Sequence, residues 1–245
     1  MNKYTQGLNR IEFVVTLACT GKCKHCSQGE HKNCKDHIDG DAAAQAVKDL
    51  CKAYTMESLM TFGGEPLLFL DTVCKIHSAA KEMKIPQRHL ITNGFFSKDE
   101  RKIKDAVDAL TQSGVNRIML SADAFHQETI PLESVKIFAQ CVKNCGIDIK
   151  VHPAWLVSED DNNPYNVRTR EILKEFSSMG IDTSSGNVIF PSGNALRYLG
   201  EYFDENQTYE NPLDIKAVCI SPDGSVLNGN IYSESIISIL ENYKP

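Results

Sequence analysis

The densest chemistry in this sequence is Cys19-Thr20-Gly21-Lys22-Cys23-Lys24-His25-Cys26, a C-x3-C-x2-C array. Three thiolates on one tight loop can surround a single inorganic centre. Iron–sulfur clusters are usually held by four cysteines, so three would leave one iron of a four-iron cube open to a substrate or cofactor. A zinc site completed by His25, His31 or Cys34 would use the same loop. Zinc sites more often carry paired C-x2-C elements, and only one is present. A second feature is Thr61-Phe62-Gly63-Gly64-Glu65-Pro66. Two glycines let backbone come within contact distance of a ligand. Exposed carbonyl oxygens there, with Glu65 as a further acceptor, would suit an ammonium group; an ordinary Gly-Gly turn is the plainer alternative.

Residues so far apart need strands that bring them together. Ile11 to Leu17 is apolar and β-branched and predicts a strand. Asp41 to Tyr54 has helical spacing, with Ala44, Val47, Leu50 and Cys51 on one side. Ser58 to Phe62 predicts a second strand, Leu70 to Lys84 a helix, and Arg88 to Thr92 a third strand closed by Asn93-Gly94. Ser97 is the expected N-cap of a helix running to Gln112 and stopped by Gly114. Val115 to Leu120, Ile147 to Leu156 and Asn187 to Phe190 are the fourth, fifth and sixth expected strands. Helices over Leu132 to Asn144 and Val167 to Ser178 separate them. The alternation predicts a parallel sheet with right-handed crossovers. Six units are too few for a complete eightfold barrel. They fit a six-unit partial barrel or an open doubly wound sheet. The tail, Ala217 to Ile231, reads as a hairpin turning at Pro222-Asp223-Gly224, after a polar surface loop over Glu201 to Asn211.

In parallel α/β folds, ligands bind at the carboxyl ends of the strands. The flagged polar residues all fall there. The cysteine loop follows strand one, Glu65 strand two and Asn93 strand three. Ser121 and Asp123 follow strand four, His152 and Trp155 end strand five, and Ser192 and Asn194 follow strand six. Composition narrows the function. The 245 residues carry 26 Lys and Arg against 32 Asp and Glu, a formal charge of −6. That argues against a broadly basic face for nucleic acid. No stretch is apolar enough to span a bilayer, and Met1 to Arg10 lacks a signal-peptide core, so a cytoplasmic protein is expected. Nine cysteines in a reducing compartment point to metal or catalysis rather than disulfides. Cys51 and Cys74 read as core positions, and Cys141 and Cys145 as apolar thiols four apart on one helix face. Cys34 is the only extra candidate ligand near the array.

In order along the chain, Cys19, Cys23 and Cys26, Gly63-Gly64-Glu65-Pro66, Ile91-Thr92-Asn93-Gly94 and Leu120-Ser121-Ala122-Asp123 resemble the motifs of the radical S-adenosylmethionine (radical SAM) superfamily. The resemblance covers about three quarters of the chain, roughly residues 11 to 195. It implies a (βα)6 partial TIM-like barrel with a [4Fe-4S] cluster on the three cysteines. It implies SAM chelating the fourth iron through its amino and carboxylate groups. Reductive cleavage then gives methionine and a 5′-deoxyadenosyl radical that abstracts a hydrogen atom from substrate. An electron donor such as flavodoxin or ferredoxin is implied as partner. Gly63, Gly64 and Glu65 are expected at the methionine amino group and His25 against the adenine. Asn93, Ser121, Asp123 and His152 are expected around the remainder of SAM or the substrate.

Ser221-Pro222-Asp223-Gly224-Ser225-Val226 resembles the hairpin core of the cysteine-rich extensions (SPASM or twitch types) that carry auxiliary clusters. The cysteine expected after the turn is missing, with Leu227-Asn228-Gly229 in its place, and Cys219 stands alone. The expected organisation is a core over 1–200, then an extension over 201–245 without a second cluster. Hydrogen abstraction from a peptide side chain is the leading expectation. A small metabolite or a glycyl-radical enzyme to be activated comes next. A non-catalytic α/β protein holding zinc or a cluster is the reading from a different class.

Overall fold

Period-two alternation along short strands sorts residues between two environments. On strand β2 (Ser58–Phe62), Leu59 and Thr61 are fully buried under helices, while Met60 and Phe62 face a central cavity. Strands β3 (Gln87–Thr92) and β4 (Arg117–Leu120) repeat this, with Leu90 and Ile118 buried and Ile91 and Met119 lining the cavity. The computed structural model describes residues 2–30, 36–203 and 214–245.

The elements follow in alternation: β1 (Arg10–Val14), α1 (Gly40–Ala53), β2, α2 (Leu70–Glu82), β3, α3 (Glu100–Ser113), β4, a short α4 (Ala124–Gln127), α5 (Leu132–Asn144), β5 (Asp148–Val151), β6 (Ala154–Trp155), α6 (Pro164–Ser178), β7 (Asp182–Thr183), β8 (Asn187–Val188) and α7 (Asn194–Leu199). The chain ends in β9 (Ala217–Ile220), β10 (Ser225–Val226), β11 (Gly229–Asn230) and α8 (Ile236–Asn242). Seven strands form one sheet in the order β7-β5-β4-β3-β2-β1-β9, and every pairing in it is parallel. The sheet does not close, as a partial barrel requires. No helix among the described residues is long and apolar enough to cross a membrane.

Three expectations need correction. The helix over 97–112 begins later, because Asp99 is its N-cap and accepts from the Arg101 N–H; Ser97 instead accepts from the Asp99 N–H. The single strand over 147–156 is broken. Pro153 has no N–H to give a neighbour. After it, β6 pairs with β8 in a separate small sheet. The sixth strand unit of the main sheet is therefore β7, and Asn187–Val188 lies outside that sheet.

The tail also divides. Ala217 to Ile220 runs parallel to β1, with Ile11 beside Val218 and Phe13 beside Ile220. A turn closed by the Gly224 N–H to the Ser221 carbonyl leads into the small antiparallel pair β10–β11. The expected apolar face exists: Val218, Ile220 and Val226 are buried, and Ile231 packs against them, in a cluster with Ile11, Val47, Leu50 and Ile239. The tail thereby gives β1 a second parallel partner. The expected loop over 201–211 lies mostly outside the described residues.

Ile220 points inward and Cys219 outward on this edge strand. Ile220→Ala is expected to lower unfolding free energy by about 2–5 kcal/mol, through lost transfer energy and a cavity. Cys219→Ser should stay within about 0.5 kcal/mol of the parent. Urea denaturation measures both, and equal effects would refute the inward–outward assignment.

Candidate functional site

The carboxyl ends of the strands open onto one cavity of about 680 Å³. Its lining includes Cys19, Cys23, His25 and Cys26 from the loop after β1, Gly63 and Gly64 after β2, Asn93 after β3, Ser121 and Asp123 after β4, and His152 after β5. The volume lies within the roughly 300–1,000 Å³ usual for small-molecule sites. Of the residues expected from sequence at this mouth, Glu65, Trp155, Ser192 and Asn194 do not line it. His31 and Cys34 lie outside the described residues.

The base of the cysteine loop is fixed by glycine. The Gly64 N–H donates to the Thr16 carbonyl and the Glu65 N–H to the Ala18 carbonyl, each at 2.7 Å. A Cβ on Gly64 would stand 2.0 Å from the Ala18 oxygen, and one on Gly63 2.5 Å from the Thr16 oxygen. Gly63 also has φ +137, which disfavours any side chain. The pair thus lets the end of β2 lie against the backbone that enters the loop.

The Glu65 carboxylate is fully buried in the framework. Oε1 accepts from the Leu67 N–H at 2.9 Å and the Thr92 hydroxyl at 2.7 Å, and Oε2 accepts from the Asn93 N–H at 2.9 Å. Burial is the largest influence and lifts this carboxyl to about 7, against the lowering effect of those hydrogen bonds. Asn93 carries the linkage back: its Nδ2 donates to Thr20 Oγ1 at 3.2 Å and lies 3.6 Å from Cys19 Sγ.

A second clamp grips the loop from the far side. The Asn194 N–H donates to the Cys26 carbonyl at 2.9 Å, and Asn194 Nδ2 donates to the Cys23 carbonyl at 3.2 Å. Gly193, at φ +55, packs so closely that a Cβ would meet the Ser27 oxygen at 2.5 Å and the Cys26 oxygen at 2.7 Å. The Lys22 N–H is taken by Thr129 Oγ1 at 3.0 Å. The sequence order brings Asn194 to this end of the strands and gives no sign of its hold on the cysteine loop. Contacts 171 residues apart leave no periodic signal.

The electrostatics favour a cation. Burial pushes the Cys19 thiol up to about 11, with further raising by Glu65 and Cys26. Cys23 is pushed higher still by burial, then by Asp123, Cys19 and Cys26. These mutual effects place the three sulfurs within electrostatic reach of one another. A metal centre needs thiolates, and its positive charge offsets what burial and the nearby acids oppose. The donor set therefore fits an iron–sulfur centre.

Asp123 is fully buried. Oδ1 accepts from the Phe125 and His126 N–H groups, and Oδ2 accepts from the Ala154 N–H and lies 2.8 Å from His126 Nδ1. Burial raises this carboxyl, but His126 and the hydrogen bonds outweigh it and hold it well below the usual range. His25 packs at 5.0 Å from the Phe125 ring and 4.7 Å from the His126 ring, and burial lowers its pKa to about 4. His152 Nδ1 lies 2.7 Å from Ser184 Oγ, whose hydroxyl reaches the Val151 carbonyl at 3.2 Å. Trp155 is core, with its Nε1–H donating to the Ser185 carbonyl. Cys51, Cys141 and Cys145 pack half-buried against apolar clusters.

The family model described as "Radical SAM superfamily" matches residues 13–192. The chain belongs to this superfamily. Membership implies an iron–sulfur cluster and SAM as cofactors. The chain is 26% identical over 127 residues to a "Probable GTP 3′,8-cyclase" of Methanocaldococcus jannaschii, covering 52% of this chain and 40% of the relative. It is 23% identical over 145 residues to the "Putative peptide biosynthesis protein YydG" of Bacillus subtilis, covering 59% and 45%. The match thus spans less than half the length of either curated relative. Among solved structures, anSMEcpe with bound AdoMet and the Cp18Cys peptide superposes with a TM-score of 0.61 at 15% identity, over 96% of this chain and 80% of that one. At that identity the likeness speaks for the fold.

Two predictions follow from the clamps. Asn194→Ala removes the donor to the buried Cys23 carbonyl, worth about 1–3 kcal/mol, so loop opening should become about 5- to 150-fold easier. Hydrogen exchange at the Cys26 and Gly29 amides, which bond within this loop, reads that change. Unaltered protection would dismiss the clamp. For Glu65, whose pKa is raised on folding, the stabilisation is complete below its unfolded value of 4.5 and is lost as pH rises through about 7. Glu65→Gln should flatten the fall in stability across that interval, as measured by denaturation at a series of pH values.

Proposed function

We propose that this protein holds one [4Fe-4S] cluster on Cys19, Cys23 and Cys26, binds SAM beside it, and removes a hydrogen atom from a peptide side chain. The observation that carries the reading is the cysteine loop itself. It stands at the cavity mouth, pinned on one side by Gly63 and Gly64 and on the other by Asn194. When bound, the reduced cluster and SAM together supply methionine and a 5′-deoxyadenosyl radical able to abstract hydrogen.

The chain's own share is placement. Cys19, Cys23 and Cys26 serve as ligands, and Asn93 and Asn194 hold their loop. Gly63 and Gly64 line the cavity beside the loop, where the methionine end of SAM would lie. Glu65 acts indirectly, by fixing Asn93. His25 lies where an adenine could stack, and Ser121 and Asp123 border the ribose and carboxylate region. His152 reaches toward the substrate. A donor such as flavodoxin or ferredoxin supplies the electron. The tail carries one cysteine, Cys219, too few for a second cluster.

The wall chemistry favours a peptide over a nucleotide. Met60, Phe62, Ile91, Met119, Val188 and Phe190 make much of the lining apolar, and it includes no Lys or Arg among the described residues. A triphosphate, such as that named for the archaeal relative, needs cationic partners. The name of the Bacillus relative and the peptide bound in the solved neighbour agree with a peptide substrate.

Anaerobic reconstitution tests the proposal. About four irons per chain are expected, with 5′-deoxyadenosine formed from SAM and dithionite. Cys19→Ala, Cys23→Ala and Cys26→Ala should each abolish both, while Cys141→Ala should alter neither. Stable zinc in place of iron, with no 5′-deoxyadenosine, would overturn the reading in favour of a structural metal site.

A further inference from the structure

One grouping of metal-binding side chains cuts across the cysteine triad. Cys23 Sγ, a ring nitrogen of His25 and a ring nitrogen of His126 all lie within 4.8 Å of one another. His126 comes from the far side of the cavity, on α4. It is oriented as metal-binding histidines commonly are: Nδ1 engages the carboxylate of Asp123 at 2.8 Å, which leaves the other ring nitrogen for a further partner. Asp123 is itself held by three backbone N–H groups, so the ring cannot swing freely.

His25 supplies the independent observation. Its Nδ1 is buried and has no hydrogen-bond partner. A buried polar atom without a partner is costly and uncommon. Its ring is fixed between Phe125 and His126, so it cannot turn to seek one without losing that packing. One thiolate and two imidazoles are a donor set for a borderline divalent ion, with a fourth position open to water.

We propose that the cluster-free protein binds one such ion, of the zinc class, on Cys23, His25 and His126, with Asp123 as the outer partner of His126. Cys23 belongs to both sites, so the mononuclear ion and the proposed cluster exclude one another. Zinc then acts as a competitor at the point where iron must enter. The inference uses only the apo geometry and stands apart from the assignment of the three-cysteine cluster.

Cobalt(II) is the probe, titrated anaerobically into cluster-free full-length protein. One equivalent should give thiolate-to-cobalt charge transfer in the near ultraviolet together with visible d–d bands, and zinc should bleach both. Cys23→Ala and His126→Ala should lose this signal. Cys19→Ala and Cys26→Ala, which remove cluster ligands alone, should keep it. Asp123→Asn should weaken the ion about 10- to 100-fold. His25→Phe preserves the aromatic packing and removes a ligand, so it tests the site even if His126→Ala does not fold. It should lose cobalt yet still form the iron–sulfur chromophore on reconstitution. Cobalt binding that survives in His25→Phe, or that disappears in Cys19→Ala and Cys26→Ala, would place the ion on the cysteine triad and overturn the proposal. Unsubstituted protein that binds cobalt in this way but forms no iron–sulfur chromophore on reconstitution would instead count against the cluster and leave this site standing.

Discussion

The cavity depends on how closely two backbones meet where β2 ends. Gly63 and Gly64 lie against Thr16 and Ala18 at a distance no side chain could share. From that contact a circuit of hydrogen bonds runs on. Glu65 crosses to the end of β3, Asn93 turns back to Thr20 beside Cys19, and the loop returns to β1. The circuit ties three strand ends to one loop without using a residue of the cysteine triad as a support. An enlarged residue at Gly64 would therefore displace the loop as a whole, whatever the thiols themselves could tolerate.

Much of this was readable in the chain. Ser58–Phe62 and Leu132–Asn144 are strand and helix over the residues that alternation and periodicity predicted. Each has a strong period and clear stops. The errors fall where another constraint overrides pattern. Asp99 takes the place of Ser97 as the cap because its carboxylate accepts the orphan Arg101 N–H, while Ser97 is occupied by the Asp99 N–H. The fifth strand looked continuous because apolar residues flank Pro153 on both sides. The missing N–H at Pro153, and the capture of the next one by Asp123, end the pairing. The tail strand was legible as a strand, but its partner was not: a hairpin reading assumes the nearest pairing, and β9 pairs with β1 more than 200 residues away.

The site shows the same division. Residue types and spacing revealed which side chains carry chemistry, and the topology gathered nearly all of them around one cavity. What spacing could not reveal was direction. Glu65 sits in the expected motif but turns into the framework, whereas Asn194 turns inward to grip two carbonyls of the cysteine loop. Buried acids lie on both flanks of the thiols, Glu65 near Cys19 and Asp123 near Cys23. Such surroundings oppose thiolates unless positive charge arrives with them, so the framework selects for a cationic occupant before any ligand bond is made.

The contact between His152 and Ser184 joins a proton to a rotation. His152 Nδ1 stands 2.7 Å from Ser184 Oγ, and the same hydroxyl lies 3.2 Å from the Val151 carbonyl. A hydroxyl has one hydrogen for these two acceptors. Given to the carbonyl, it leaves the serine oxygen to receive Nδ1–H; given to Nδ1, it moves the proton of the neutral ring to the opposite nitrogen. This corner of the cavity therefore offers a lone pair or an N–H according to how one serine hydroxyl turns. The same wall can meet an incoming amide N–H in one state and an incoming carbonyl in the other.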